Sequence, residues 1–420
     1  MTTPPPTAQL PPPRWRSMAA LRHREYRRVW TGALVSATGD WLQITGRAYL
    51  VYAITGSPTA LGAVYFFSYL PQVLFALPGG ALADRVDRKR LVVAGNAAQG
   101  LVAVALAALV WAAQASVWNV AALSFVAGTA MTLTLSPTLA LLPSLVPRAE
   151  LHSAMSLNGT TYSVSRIFGP LLAGLIIPLW GVGWVFAVNA VTFAYAVAVW
   201  WLATVPPRAP ASPVDQTGIR HGLRHAWTTP TIRVPVIIMA VLGLVGFVYQ
   251  PLAVVYATDV LAGGDDLLGG RYFGLMQAMM GVGSVVGIVG LAELGRHRAA
   301  LTVLGGTAGF ALALAALGLT AAALPALALS VAVAGLHMGV AVLIQTIVQH
   351  EVDESLRGRM MSIVMMAWVG SIPFASWLWG AVASRVPVGR TFVLAAVVLL
   401  GATVVALPWS RRIRLHQEPA

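Results

Sequence analysis

Long runs of apolar residues recur along almost the whole chain. Twelve of them reach the ~20 residues that an α-helix needs to cross a bilayer core of about 30 Å. Lipid offers no hydrogen-bond partners to the backbone, so such runs, which lack period-two alternation, predict helices and exclude an open sheet. The chain is therefore predicted to be an all-α membrane protein with twelve transmembrane helices. The runs lie near residues 29–54, 59–80, 91–113, 117–142, 153–178, 182–204, 234–260, 270–293, 299–319, 324–348, 359–384 and 391–409.

The composition supports a membrane location and excludes several chemistries. Of the 420 residues, 58% are hydrophobic and only 10% are charged, whereas about 25% are charged in a soluble domain. There is no cysteine, which excludes disulfides and thiolate sites. The chain also lacks HExxH, Gly-x-Ser-x-Gly and phosphate-binding GxxxxGK[ST] patterns. We therefore expect no enzyme activity, no metal and no cofactor.

Two polar regions divide the chain. The first is a proline-rich and basic start, and the second is a proline-rich, basic stretch that separates six apolar runs from the next six. Such compositions are typical of disordered tails and linkers. The predicted organisation is a disordered N-terminus over residues 1–28, a six-helix bundle over 29–204, a linker over 205–232, a second six-helix bundle over 233–409 and a tail over 410–420.

The net charge of +13 comes from the loops. Most of the 27 Lys and Arg residues fall in alternate loops, and the other side has only Arg271, Arg385 and Arg390. The positive-inside rule then places both termini and the linker in the cytoplasm. No basic patch is interleaved with aromatic residues, so we expect no nucleic-acid partner. A multi-pass protein of the cell membrane is predicted.

A weak internal repeat links the two bundles. LADRVDRKRL at residues 82–91 recurs loosely as LAELGRHRAAL at residues 291–301. Two halves with the same helix order and a cytoplasmic linker predict a pseudo-two-fold axis along the membrane normal, with a cavity between the halves.

The loop after the second apolar run reads GALADRVDRKR at residues 80–90. This motif resembles the loop signature of the major facilitator superfamily of transporters. Asp84 should lie at the end of a helix, where the helix dipole disfavours a negative charge, so it needs a positive partner. The resemblance implies that Asp84 latches onto the start of helix 11 and closes a cytoplasmic gate; a simple loop-folding ion pair is the alternative. Asp87 replaces the usual glycine. The predicted gate comprises Gly80, Asp84, Arg85, Arg88, Lys89, Arg357 and Arg359.

A second resemblance lies on helix 5. RIFGPLLAG at residues 166–174 is similar to the Gly-Pro motif of the superfamily's antiporters. Its small residues allow close helix packing, and its proline weakens one backbone hydrogen bond. The packing motif comprises Ser165, Gly169, Pro170 and Gly174. With LRHREYRRVW at residues 21–30 and LVPRAEL at 145–151, the chain looks most like the drug-efflux branch typified by macrolide and siderophore exporters.

Helix 1 carries a polar stripe. Ser36, Asp40, Gln43 and Arg47 are spaced by 4, 3 and 4 residues and so share one helical face. A charged side chain costs at least about 2.5–3.5 kcal/mol in the hydrocarbon, so this face should line the cavity. A desolvated Asp40 would bind and release a coupling proton. An Asp40 paired with Arg47 or Arg166 would stay ionised and be structural.

Other polar residues inside the apolar runs are further cavity candidates. Arg166 is either a counter-charge for Asp40 or for an anionic substrate, or a structural or headgroup-facing residue. His337 is either a proton carrier or a packing residue. An apolar wall for a hydrophobic substrate is one role for Trp41, Met338, Trp377 and Trp379. A lipid-facing or interfacial position is the alternative for each of the tryptophans. The remaining candidates are Asn158, Tyr249, Gln250 and Gln277.

These features predict a secondary transporter that works by alternating access. We expect it to export small amphipathic compounds, such as a drug, antibiotic or siderophore-like molecule, in exchange for protons. Its expected partners are the substrate, protons and the lipid bilayer, and we expect a monomer. Uptake and lipid flipping are alternatives within the same fold. A non-transporting membrane sensor or assembly subunit is the alternative from another class.

Overall fold

The computed structural model describes residues 16–205 and 227–408, which are almost entirely helical. Most of the predicted N-terminal region, linker and tail, and the side chains of residues 76–85, lie outside the described part. Interrupted helices are numbered as one segment. The segments are α1 (Arg24–Thr55), α2 (Pro58–Arg85), α3 (Arg88–Trp111), α4 (Val117–Leu141), α5 (Leu151–Trp180), α6 (Val182–Leu202), α7 (Ile232–Leu261), α8 (Asp266–Gly295), α9 (Arg298–Leu319), α10 (Ala323–Glu351), α11 (Leu356–Ala383) and α12 (Val388–Ala406).

The predicted all-α membrane fold is confirmed. Within the described ranges, ten helices, α3 to α12, are long and apolar enough to cross a membrane. The two that precede them are 32 and 28 residues long. That α1 and α2 also cross, which would make twelve, stays a prediction. A kink at Arg298 separates α8 from α9.

The connections between helices alternate between two faces of the molecule. We call the face with the α1–α2 connection (residues 56–57) the distal face, and the face with the α2–α3 connection (residues 86–87) the proximal face. On the proximal face, the Lys89 ammonium donates to the Trp201 carbonyl at 2.9 Å and to the Ala203 carbonyl at 2.8 Å. On the distal face, the Tyr256 hydroxyl donates to the Thr320 carbonyl at 2.6 Å.

Small residues set the packing inside the N-terminal half, α1 to α6. Gly169 of α5 lies against Thr38 and Trp41 of α1 so closely that a Cβ would meet their atoms. One turn before it, the Ser165 hydroxyl hydrogen-bonds the Thr38 hydroxyl at 3.1 Å. Short side chains therefore let α5 and α1 pack almost backbone to backbone, as is common in membrane helices.

The two halves meet on the distal side along two helix pairs. Gly62 of α2 faces Gly380 of α11, and Gly174 of α5 faces Gly274 of α8, in each case with no room for a Cβ. The Tyr52 hydroxyl at the end of α1 lies 2.6 and 2.7 Å from the two carboxylate oxygens of Asp259, near the end of α7. These contacts close the distal face.

The C-terminal half, α7 to α12, contains two interrupted helices. In α7, a 3₁₀ turn over Gly246–Val248 precedes Pro251, which has no N–H to donate to the carbonyl four residues earlier. A π-helical turn, Tyr256–Leu261, follows. In α11, the helix stops at Val369 and restarts at Ile372. Breaks at membrane depth leave carbonyls that need other donors.

Trp379 of α11 supplies one such donor. The helical part of α7 that precedes the break ends at Leu244, and the indole Nε1 of Trp379 donates to the Leu244 carbonyl at 2.9 Å. Gly243 lies against the Trp368 carbonyl and the Ser371 hydroxyl, so the breaks in α7 and α11 are neighbours. The two interruptions therefore support each other.

Candidate functional site

An opening between the halves lies beside Tyr162, near the centre of the molecule. Tyr162 of α5 packs edge-on against Trp41 of α1 at 6.0 Å between ring centroids. It also lies close to Tyr69 of α2 and Tyr249 of α7. Tyr162 is nevertheless 56% exposed. A side chain with neighbours from both halves cannot face lipid, so its exposed surface borders a space between the halves.

Arg166 lies beside this opening. It follows Tyr162 by four residues on α5, and only 5% of it is exposed. Its guanidinium carbon lies 5.3 Å from the centroid of the Trp41 ring, a cation–π contact. The Arg166 guanidinium is close enough to donate a hydrogen bond to the hydroxyl of Tyr249, which belongs to the other half. The Arg166 backbone touches Gly281 of α8, so both halves meet at this residue.

The polar stripe of α1 points in two directions. Ser36 and Arg47 are buried, and Asp40 is partly exposed. The ionisable side chains near the Arg47 guanidinium are Tyr65 and Tyr69 of α2 and, on its own helix, Asp40. Asp40 and Arg47 therefore face the inner side of the half.

Gln43 faces α6 instead. Its side-chain oxygen accepts a hydrogen bond of 2.9 Å from the Asn189 amide, and both residues are buried. The four stripe positions fall within about 60° of one another around the helix axis. Gln43 lies at the edge of this face that is nearest to α6, beside Gly39 and Gly46, which pack against α6.

The central charges do not pair with one another. Within the described residues, neither Asp40 nor Arg47 nor Arg166 has an ion-pair partner of opposite charge within 4.0 Å. The charge that Asp40 experiences most is that of Arg47. The centre therefore holds two positive groups and one carboxylate, all in the N-terminal half.

Aromatic residues that we did not predict surround these charges. Tyr65 and Tyr69 stack at 6.3 Å between ring centroids, and Tyr69 packs edge-on against Phe247 of α7 at 5.7 Å. The Tyr65 hydroxyl has no partner among the described residues. Tyr65 and Tyr69, like Tyr162 and Arg166, are four residues apart. This spacing places each pair on one helical face, but it does not determine which other helix that face meets.

The C-terminal half contributes neutral groups. His337 of α10 is fully buried, hydrogen-bonds the Tyr249 hydroxyl through Nδ1 at 3.0 Å, and stacks on Phe310 at 5.0 Å. Gln250 and Gln277 are also buried, and the Gln277 side-chain oxygen lacks a partner in the described part of the chain. His337 is thus enclosed by aromatic rings and is separated from the opening by Tyr249.

The remaining predicted residues are near the proximal face. Asn158 of α5 is partly exposed, two turns before Arg166. The side chains of Gly80, Asp84 and Arg85 lie outside the described residues, so the predicted latch stays a prediction. Of the other gate residues, Lys89 ties α3 to the end of α6, Arg357 is exposed, and Arg88 and Arg359 are partly buried. The α5 motif residues Ser165, Gly169, Pro170 and Gly174 are all buried.

Two helical halves around a central polar cluster define a membrane transporter of the major facilitator type. The pattern of the family described as "Transmembrane secretion effector" (MFS_3) matches residues 16–417. The chain belongs to this family, and the resemblance stated from the sequence motifs is confirmed.

Three relatives are named as efflux proteins or transporters. The chain is 26% identical to the multidrug efflux pump Tap of Mycolicibacterium fortuitum, over 92% of this chain and 96% of that protein. It is 23% identical to the staphyloferrin A transporter of Staphylococcus aureus, over 90% and 95%. It is 29% identical to macrolide efflux protein A of Streptococcus pyogenes, over 41% and 43%.

Solved transporter structures share the fold. A bacterial homologue of the iron transporter ferroportin, in its inward-facing state, has a TM-score of 0.70 at 18% identity and covers 92% of this chain and 98% of its own. The nucleoside transporter NupG has a TM-score of 0.71 at 13% identity, over 93% and 100%. At these identities the likeness shows the fold alone.

Proposed function

We propose that this chain exports small amphipathic compounds across the cell membrane by alternating access, in exchange for protons. The observation that carries the proposal is the opening beside Tyr162, which has neighbours from both halves and lies one turn from the buried Arg166. The direction rests on two relatives named as efflux proteins. The proximal face, where the loops rich in Lys and Arg lie, would be cytoplasmic. A single chain would suffice because one chain supplies the whole cluster.

Asp40 is proposed as the proton-binding group. It is partly exposed on the inner side of α1, and among the described residues no arginine nitrogen lies within 4.0 Å of its carboxylate. A carboxylate that reaches the opening without being locked in an ion pair is free to bind and release a proton. Arg47, on the same helix, is the charged group that faces it.

The test is Asp40→Asn in vesicles with an imposed pH gradient. The amide cannot exchange a proton, so gradient-driven accumulation should fall to the level of protein-free vesicles. Exchange of labelled for unlabelled substrate should persist, because it needs no net proton movement. Accumulation and exchange are measured with the same exported compound, chosen from a panel of antibiotics, dyes, siderophores and peptides.

Asp266→Asn is the matched control. Asp266 is exposed in the first turn of α8 on the distal face, away from the cluster. The same chemical change there should leave accumulation intact. Full accumulation by the Asp40 variant would reject the proton role. Net inward flux in oriented vesicles would instead favour uptake, and no flux of any panel compound would favour a sensor or assembly role.

A further inference from the structure

The centre of the molecule holds more positive than negative charge. Arg166 is 5% exposed and Arg47 is 7% exposed. Among the described residues, Asp40 is the one carboxylate that acts on Arg47, and no carboxylate lies within 4.0 Å of Arg166. With Asp40 ionised the cluster carries one uncompensated positive charge. With Asp40 protonated it carries two.

The C-terminal half does not supply the missing negative charge. In the described parts of α7 to α12, every Asp, Glu, Lys and Arg lies within about two turns of a helix end. The groups that the C-terminal half presents to Arg166 are Tyr249 and, behind it, His337. Asp259, the nearest acid at the end of α7, is engaged by Tyr52 on the distal side.

A buried cation without a counter-charge is unfavourable, and it is relieved when an anion reaches it. Arg166 meets the requirements for binding such an anion. It lies one turn from the exposed Tyr162, its guanidinium offers paired donors that match an oxyanion, and its partners are an aromatic face and a hydroxyl. Trp41 and Tyr162 beside it would contact the apolar part of an amphipathic molecule.

We propose that the transported compounds are organic acids whose carboxylate or phosphate group docks on Arg166, with their apolar part against Trp41 and Tyr162. This rests on the proposed function, because it takes the opening to be the substrate path. It adds the charge of the substrate, which neither the family nor the relatives' names specify.

Binding is tested with three matched fluorescent probes: dansylglycine, its neutral amide, and the cationic dansylcadaverine. The purified full-length protein should bind the acid about 10- to 100-fold more tightly than the amide, the range expected for one hydrogen-bonded charge pair. The cation should bind most weakly. Equal affinity for acid and amide, or no binding of the acid, overturns the inference.

Arg166→Gln should abolish the preference for the acid, and Arg166→Lys should retain part of it because it keeps the charge and loses the planar fork. Arg271→Gln, an exposed residue near the distal start of α8, is the control and should keep the full preference. A preference that survives Arg166→Gln also overturns the inference. Dansylglycine binding is also compared in phosphatidylcholine vesicles with and without phosphatidylglycerol. Weaker binding in the presence of phosphatidylglycerol would show that an anionic lipid phosphate takes the site, and equal binding that a soluble acid takes it.

Measurements of substrate flux distinguish a failure of this inference from a failure of the proposed function. A monoanion that leaves in exchange for one proton moves two positive charges inward, whereas a neutral compound moves one. Export of the acid should therefore respond about twice as steeply to an imposed membrane potential as export of a neutral compound. Export of the amide at the rate of the acid would overturn the anionic substrate and leave the exporter intact. Absence of flux for every panel compound would reject the exporter itself.

Discussion

The inner faces of the two halves differ in charge and in backbone regularity. The N-terminal half brings Asp40, Arg47 and Arg166 to the centre. The C-terminal half brings Tyr249 and His337, and it also contains the interrupted helices α7 and α11. The two halves thus bring different chemistry to the centre.

This difference suggests a division of labour. Charge at membrane depth is expensive and selects partners of opposite charge, so it is suited to recognising a substrate and a proton. Helix breaks give a backbone places where it can bend, so they are suited to movement. We therefore expect recognition mainly from the N-terminal half and movement mainly from the C-terminal half.

The largest effect is expected when charge is introduced into the neutral half. Tyr249→Glu places a carboxylate against Arg166, and the resulting ion pair would join the two halves. Separating a buried pair costs about 3–5 kcal/mol, so transport should fall by about 100-fold or more. Initial rates of substrate export in vesicles measure this change.

Tyr249→Gln is the control, because it removes the same ring without adding charge. It should transport at least about tenfold faster than the Glu variant, since no ion pair of that strength forms. The thermal unfolding midpoint of both proteins in detergent shows whether each is folded. Equal transport by the two variants would show that Arg166 does not engage the C-terminal half.

An intermediate effect is expected at the helix breaks. Trp379→Phe removes the donor to the Leu244 carbonyl and leaves that group unsatisfied, which should lower the free energy of unfolding by about 1–3 kcal/mol. Trp377→Phe is the control, because Trp377 is 58% exposed and Trp379 only 6%. Its effect should stay within about 0.5 kcal/mol. Thermal unfolding of both variants tests this, and equal midpoints would remove the role given to Trp379.

The smallest effect is expected on the distal face. Tyr52→Phe removes the hydrogen bond to Asp259, which joins the halves near the surface, so about 1 kcal/mol is lost and the distal-open state should gain about fivefold in population. The chain has no cysteine, so spin labels can be attached to cysteines introduced at Gln114 and Ser384. Distances between these exposed distal sites report the opening.

Tyr256→Phe is the control for that experiment. The Tyr256 hydroxyl bonds the Thr320 carbonyl at a similar distance, but both residues belong to the C-terminal half. Its loss should destabilise that half without changing the distance distribution between labels. A shift of equal size in both variants would mean that the Tyr52 bond does not hold the halves together.

Most of the fold could be predicted from the sequence because the membrane imposes it. Apolar runs of the required length give the helices, with bounds within a few residues of those observed. The break in α7 was not predicted, although Pro251 was visible. A proline inside a run is consistent with a smooth bend or a full interruption, and the difference depends on neighbours such as Trp379, which are distant in the chain.

The charged part of the site could be predicted, but its surroundings could not. A charge inside an apolar run is conspicuous in any sequence, so Asp40, Arg47 and Arg166 stood out. Tyrosines are common at membrane interfaces, so Tyr65, Tyr69 and Tyr162 carried no such signal. Which of them meet depends on how α2, α5 and α7 are rotated about their axes, and their sequence spacing within one helix does not fix that rotation.

The contact between Gly281 and the Arg166 backbone has a mechanical consequence. Halves of this architecture rock against each other around a fixed site. From Arg166, α5 extends about 12 Å to Gly174 and about 22 Å to Leu151. If α5 pivots at this contact, a tilt of about 15° displaces Gly174 by roughly 3 Å and Leu151 by roughly 6 Å. Arg166 itself hardly moves. The Arg166 side chain can then contact a substrate that enters from one compartment and leaves to the other.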